Sequence, residues 1–320
     1  MIENSIRPAG SARHNHRRKD RCGRGFACAL MFCGAFAFTG AAAAQTPAQI
    51  GYVGILGGGP VYKHIKKNID ELKNSGFNEL IVWSVEVNTS GDLNLNGEFP
   101  LTSDGAYIGN QTWPDFGADL KKIKRGSVKR VTLSIGSSNY GDWENIESLI
   151  DSQGTGPDSI LYQDFAALKQ ALPIDAIDFD EENGYDESST IKFALMLRKL
   201  GYHVTMDPYT DVDFWTDVVS QINAKHPGTV DAIHLQTYAG GEGNNPCSGW
   251  DFGSVPVYPG LSDQTAAPPY MSPTEAEATL ASWHSQCGIT GGWLWIFDQI
   301  AGTPQVRQYG HDMTKGVEGK

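Results

Sequence analysis

Ile174-Asp175-Ala176-Ile177-Asp178-Phe179-Asp180-Glu181-Glu182 sets acids into an apolar run at alternate positions. In a strand, successive side chains point to opposite faces, so Asp178, Asp180 and Glu182 share one face while Ile177 and Phe179 take the other. A solvated acidic turn would not interleave its acids with large apolar groups. A calcium loop of the EF-hand type starting at Asp178 would need Gly at its sixth position and Glu at its twelfth, where this chain has Asn183 and Ser189. Strand rise places alternate acids about 6–7 Å apart, near enough for their charges to couple in a poorly solvated interior. At least one of them should therefore hold its proton above the usual carboxylate range. That is the property a general acid needs near neutral pH.

Working outward, short apolar runs alternate with amphipathic stretches. Strands are expected at 52–56, 80–85, 130–135, 176–180, 203–206, 232–236, 255–258 and 292–296, which makes eight. Val61, Ile65, Ile69 and Leu72 recur at helical spacing and predict one helix stopped near Gly76. Residues 189–200 carry Ile191, Leu195 and Leu197 in a similar stripe, and 273–284 opens with Pro273 after Ser272, a helix-start signal. Strands that alternate with helices pair in parallel, and eight such units close a single (β/α)8 barrel, here over residues 45–320. No helix is expected between the sixth and seventh strands, where 240–253 is rich in Gly, Asn and Pro. The alternative is an open doubly wound sheet, but Gly57-Gly58-Gly59-Pro60 lacks the dinucleotide-binding spacing.

Arg7, Arg13, Arg17, Arg18, Lys19, Arg21 and Arg24 precede an apolar run from Phe26 to Ala44 that ends in Ala42-Ala43-Ala44. This reads as a secretory signal peptide, residues 1–44, cleaved before Gln45, with a secreted or periplasmic destination. A membrane anchor is the competing reading, although the run is at the lower edge of spanning length and dominated by Ala and Gly. Cys33 makes a poor lipoprotein site, because bulky Phe32 precedes it and the apolar run continues past it. The first 44 residues hold seven of the 25 basic residues and two of the 37 acidic ones, so the chain beyond them carries net −17 against −12 for the whole. Such a surface repels phosphate backbones and anionic lipid, which excludes nucleic acid and membrane partners and favours a neutral or cationic substrate. Beyond the leader only Cys247 and Cys287 remain. In an exported chain an even pair reads as one disulfide; two buried thiols are the alternative, and two cysteines supply too few ligands for zinc.

The spacing D-x-x-D-x-D-x-E, carried by Asp175, Asp178, Asp180 and Glu182, resembles the signature of the family 18 glycoside hydrolases, which include chitinases and endo-β-N-acetylglucosaminidases. Leu133-Ser134-Ile135-Gly136 is similar to the third-strand S-x-G motif of that family, Gln236-Thr237-Tyr238 to its sixth-strand motif, and Leu294-Trp295 to its eighth-strand tryptophan. The resemblance implies cleavage of β-linked N-acetylglucosamine glycans by substrate-assisted retention, with an oligo- or polysaccharide as partner, a monomeric enzyme, and no cofactor or metal. On that basis Glu182 protonates the glycosidic oxygen, Asp180 orients the 2-acetamido group whose carbonyl attacks the anomeric carbon, Asp178 shares a proton with Asp180, Tyr238 hydrogen-bonds the acetamido group, and Trp295 floors the sugar ring. The chain departs from typical chitinases at Glu181, where they have Trp, at Ala239, where many have Asp, and at Ser137-Ser138, in place of a second glycine. Phe179-Asp180-Glu181-Glu182 is closer to the endo-β-N-acetylglucosaminidases and plant-type chitinases.

Further residues are assigned around this row. Gln236 shares strand parity with Tyr238 and should face the mouth, while Trp83 and Tyr209 either stack on sugar or pack. Asp298 is counted with the substrate-binding residues. Trp293 shares parity with Trp295, so one should line the site and the other the core, and Trp250 is a candidate sugar platform. No histidine sits at a metal spacing, and His203 and His234 read as barrel packing. Two other functions stay open: an inactive carbohydrate-binding barrel, disfavoured because Glu182 is present, and a two-carboxylate glycosidase for unacetylated sugars, kept open by Glu181 and Ala239.

Overall fold

The computed structural model describes residues 51–137 and 140–320. The leader expected at 1–44 lies outside them, as do Ser138 and Asn139. Eight strands are β1 (Tyr52–Gly57), β2 (Glu79–Val87), β3 (Arg130–Ile135), β4 (Ala176–Phe179), β5 (His203–Met206), β6 (Val230–Gln236), β7 (Val257–Ser262) and β8 (Gly291–Trp295). Each pairs in parallel with the next. Closure is at β1, whose Tyr52–Ile55 pairs with Gly291–Leu294 on one side and whose Gly54–Gly57 pairs with Glu79–Val82 on the other. The sheet has no free edge there, so the fold is a (β/α)8 barrel and the open-sheet reading is excluded.

The main helices are α1 (Lys66–Lys73), α2 (Phe116–Ile123), α3 (Asp142–Gln153), α4 (Ile160–Ala171), α5 (Glu187–Lys199), α6 (Val212–Lys225), α7 (Pro273–Cys287) and α8 (Gln305–Glu318). The apolar set of β4 meets them as its parity requires. Phe179 stacks on Phe193 of α5 at 5.3 Å and tilts against Trp143 of α3 at 4.9 Å. No helix joins β6 to β7, and Cys247 in that connection is disulfide-bonded to Cys287 at the end of α7, with a Cα separation of 5.4 Å. Ser272 and Glu275 form a reciprocal capping box at the start of α7. Among the described residues no helix is long and apolar enough to cross a membrane.

Three expectations are corrected. The single helix through Val61 and Leu72 is two pieces, Gly59–Tyr62 and Lys66–Lys73, because His64 takes a left-handed backbone (φ 51°) and Ile65 is an extended cap with 43% of its surface exposed. Both pieces still bury their apolar residues, so periodicity could not reveal the break. The seventh strand runs to Ser262 through Pro259-Gly260, a pair that locally signals a turn. The Trp293 indole lies over Gly260, where a Cβ would meet it at 2.3 Å, so the glycine answers a packing need on the neighbouring strand. The loop expected near Asn88 and Gly91 opens into small antiparallel pairings of Leu93–Leu95 with Phe99–Pro100 and of Thr102–Ser103 with Ala106–Tyr107. Strands of two or three residues are too short to show a period.

At the N-terminal end of the barrel the interior is charged and paired. Arg130 donates to both oxygens of Asp231 at 2.7 and 2.8 Å and to Glu79 at 3.2 Å. Asp178 stands above this floor, toward the mouth.

Candidate active site

The site grows out of strand register. Ser134 on β3 and Thr205 on β5 are the direct neighbours of Asp178 in the sheet. Their hydroxyls consequently reach it, Ser134 Oγ donating to Oδ2 at 2.9 Å and Thr205 Oγ1 donating to Oδ1. His234 Nδ1 adds a contact at 3.0 Å to Oδ1. Asp178 is fully buried and lies beneath the open cleft.

Asp180 is one step nearer the mouth. Trp83 Nε1 donates to its Oδ2 and Gln236 Nε2 to its Oδ1, each at 3.1 Å. Its carboxyl is also hydrogen-bonded to that of Glu182. Two acids in such contact are closer than strand rise suggests, because β4 ends at Phe179 and the alternation spacing does not hold beyond it. Burial, with the charges of Glu182 and Asp178 added to it, raises the Asp180 pKa well above the ordinary value. Burial also raises Glu182, against hydrogen bonds from Gln236 and Asp180 that stabilise its anion.

The cleft holds about 460 Å³ and is lined by Trp83, Ser137, Asp180, Glu182, Tyr209, Gln236, Tyr238, Ala239, Ala266, Ala267 and Trp295. Trp295 lies parallel to Tyr238 at 5.8 Å and edge-on to Trp83 at 5.0 Å. Trp293 is 1% exposed and packs against Tyr238 at 5.7 Å, so of the two tryptophans on β8 it is Trp295 that meets the cleft. A pair of hydrogen-bonded carboxyls whose hold on a proton is strengthened by burial, set among aromatic faces, can protonate a leaving oxygen on a ring stacked above them.

Other residues lie elsewhere. Asp298 accepts the Gly58 N–H at 2.7 Å and is not among the cleft-lining residues. Glu181, the acid weighed as a second catalytic carboxylate, points outward: it accepts from Thr190 Oγ1 on α5 at 3.1 Å, and burial pushes its pKa up to about 8. Trp250 lines a separate hollow between Pro246 and Thr290, beside the disulfide, and donates to Asn244 Oδ1 at 3.3 Å. His203 and His234 pack in the barrel, with Nδ1 2.9 and 3.0 Å, respectively, from an aspartate oxygen.

Sequence reasoning missed two acids and explains one glycine only in part. Asp263, at the end of β7, accepts from Thr265 N, Thr265 Oγ1 and Ala266 N through one oxygen and from Ile296 N through the other, tying the Ala266–Ala267 wall to the end of β8. An aspartate two residues before a threonine is a local turn signal that could have found it. Asp207, just past β5, is 2% exposed with no hydrogen-bond partner for its Oδ1 among the described residues, and burial followed by the charge of Asp178 raises its pKa well above the ordinary value. Gly136 of the S-x-G run has φ 97°, and a Cβ there would meet the Asp180 carbonyl oxygen at 2.5 Å.

No protein-family model and no curated protein sequence matches the chain. Solved structures match it at low identity. A fungal endo-β-N-acetylglucosaminidase of glycosyl hydrolase family 18 is 16% identical, with 83% of this chain and 96% of that chain covered and a TM-score of 0.59. The catalytic domain of a hyperthermophilic chitinase from Pyrococcus furiosus is 12% identical, with 86% and 97% covered and a TM-score of 0.58. The catalytic domain of a family 18 chitinase from the fern Peteris ryukyuensis is 14% identical, with 83% and 99% covered and a TM-score of 0.54. The chain thus shares, across nearly the whole of each of these domains, the barrel fold of solved family 18 glycoside hydrolases.

Proposed function

We propose that the chain is an exported, monomeric glycoside hydrolase that cleaves β-linked N-acetylglucosamine glycans, with Glu182 as general acid and the substrate's own acetamido group as nucleophile. The observation that carries this reading is the hydrogen-bonded Asp180–Glu182 pair at the base of an aromatic cleft. Glu182 gives its proton to the glycosidic oxygen as the bond from that oxygen to the anomeric carbon breaks, and the acetamido carbonyl oxygen bonds to the same carbon. Asp180 accepts the acetamido N–H and balances the positive charge of the oxazolinium intermediate. Tyr238 donates its hydroxyl hydrogen to the acetamido group, and Trp295 supports the apolar face of the ring. Water then attacks the anomeric carbon, its proton returns to Glu182, and the configuration is retained.

The comparisons lend support at the level of substrate class. A tobacco class V chitinase similar to this chain was solved with NAG4, and a Cycas revoluta chitinase with allosamidin. The two-carboxylate alternative loses its best extra acid, since Glu181 is turned toward α5. Export rests on residues 1–44, and mass spectrometry of secreted protein is expected to give an N-terminus near Gln45. The test of activity is hydrolysis of chito-oligosaccharides and high-mannose glycopeptide, with the product anomer followed by NMR. Turnover of unacetylated glycans alone, or inversion at the anomeric carbon, would overturn the proposal.

A further inference from the structure

Beneath the Asp180–Glu182 pair lies a histidine that the reaction as described leaves without a task. His234, on β6, is 1% exposed. Its Nδ1 lies 3.0 Å from Asp178 Oδ1 and its Nε2 lies 3.3 Å from Glu79 Oε2. The second contact is not aligned as a hydrogen bond, yet neither Nε2 nor Glu79 Oε2 makes an aligned hydrogen bond to any other described residue, so the two atoms face each other, with the Tyr52 hydroxyl beside Glu79. Ionised carboxylates only accept, and a neutral imidazole carries a single N–H. A neutral ring would turn a bare nitrogen toward one of the two acids. Only the imidazolium suits both contacts. The other hydrogen-bond partners of Asp178 are the hydroxyls of Ser134 and Thr205, and the titratable groups that feel its charge are Asp180, Asp207 and Tyr238, so among the described residues His234 is the one cation within ion-pair distance of it.

We infer that His234 is a positioning residue: as an imidazolium clamped between Glu79 and Asp178, it holds the Asp178 side chain in place beneath Asp180 and sets a positive charge under the acid row, which favours the anions of the Asp180–Glu182 pair at the cleft. The inference rests on the hydrolase reading above. Without that charge the acids at the cleft would lose their protons less readily, because adjacent buried carboxylates cannot all ionise cheaply. The surrounding groups agree with it. Glu79 on β2 also pairs with Arg130 on β3, whose guanidinium is otherwise engaged by Asp231 on β6, and Asp231 is met in turn by His203 on β5 at 2.9 Å. Tyr52 of β1 and Tyr258 of β7 stack on each other at 5.0 Å, Tyr258 lying level with His234 in register, and the Trp293 ring of β8 is 5.9 Å from the imidazole. Burial would lower the His234 pKa, but Glu79 and Asp178 outweigh it and raise the value to about 9. Burial would raise Glu79, but His234 and Arg130 outweigh it and hold the value at about 2.

The first test needs no variant to fold. Nitrogen-15 NMR of histidine-labelled mature protein is expected to show both ring nitrogens of His234 protonated at pH 8, where an ordinary histidine of pKa about 6.5 is neutral. A neutral ring at pH 7 overturns the inference. The second test is the pH profile of kcat/KM on a chito-oligosaccharide. His234→Asn can still donate to Asp178 but carries no charge, so every acid above it should lose its proton less readily and both limbs should move to higher pH by roughly half a unit or more. Glu79→Gln removes an anion from the far side and should move both limbs to lower pH. Limbs that stay in place in folded variants while turnover or Tm falls would make His234 a purely structural residue and sink the inference. An inactive wild type with a doubly protonated His234 would instead overturn the hydrolase reading and leave the clamp standing.

Discussion

Gln236, at the end of β6, donates its amide group to Asp180, just past β4, at 3.1 Å although the two stand 56 positions apart and the two strands do not pair with each other. The same side chain hydrogen-bonds Glu182. An amide N–H can only donate, so this contact across the barrel mouth favours negative charge on both acids and fixes where their carboxyls sit. The predictions below depend on that arrangement.

Glu182→Gln preserves shape and hydrogen bonding but has no proton to give. Its kcat on chito-oligosaccharides should fall by about 10²-fold or more with Tm little changed. Asp180→Asn should also cripple turnover, and a thiazoline mimic of the oxazolinium should inhibit the unmodified enzyme. Near-full activity of Glu182→Gln would refute the assignment of the acid; a dead variant with no thiazoline binding to the wild type would point to a route without acetamido participation.

Trp83→Phe keeps an aromatic wall and removes the indole N–H that stabilises the Asp180 anion. The Asp180 pKa then rises further, so the acidic limb of kcat/KM should move to higher pH. A lower rate with an unmoved limb would show that Trp83 acts on the sugar alone.

Glu181 offers a stability test that avoids catalysis. Its pKa is about 8 in the folded chain against an ordinary value of 4.5. Below the unfolded value both states are protonated; between the two values only the unfolded state ionises, so this group costs stability as pH rises, at about 1.4 kcal/mol per pH unit at most. Glu181→Gln should therefore raise Tm at pH 8 more than at pH 5, with activity retained. Loss of activity in a well-folded variant would return Glu181 to the list of reacting groups.

The disulfide closes a loop with a sequence separation of 40. The chain-entropy model gives it about 4 kcal/mol, which for a domain of this size lowers Tm by on the order of 10 °C when lost. The Cys247→Ser, Cys287→Ser double variant should show that loss in calorimetry while its turnover at 25 °C stays near the parent's. An unchanged Tm would mean that the connection after β6 is held by its own hydrogen bonds.

What could be read from the chain alone was whatever strand alternation encodes. The parity of Asp178, Asp180 and Glu182 against Ile177 and Phe179 needs only consecutive residues, and so do the strands at Arg130–Ile135 and His203–Met206, whose bounds match the pattern. The cysteine pair was legible by count. Barrel closure decided the rest, because it sets distances between residues that no local period connects. It brings Ser134 and Thr205 level with Asp178, carries Gln236 across the mouth to Asp180, and buries His234 between two acids from different strands. The docking of α5 behind β4 set Thr190 against Glu181, and the pairing of β7 with β8 fitted Gly260 beneath Trp293 in what looked locally like a turn. Alternation assigns a side chain to a face; its partner on that face follows from register, and register is a property of the closed sheet.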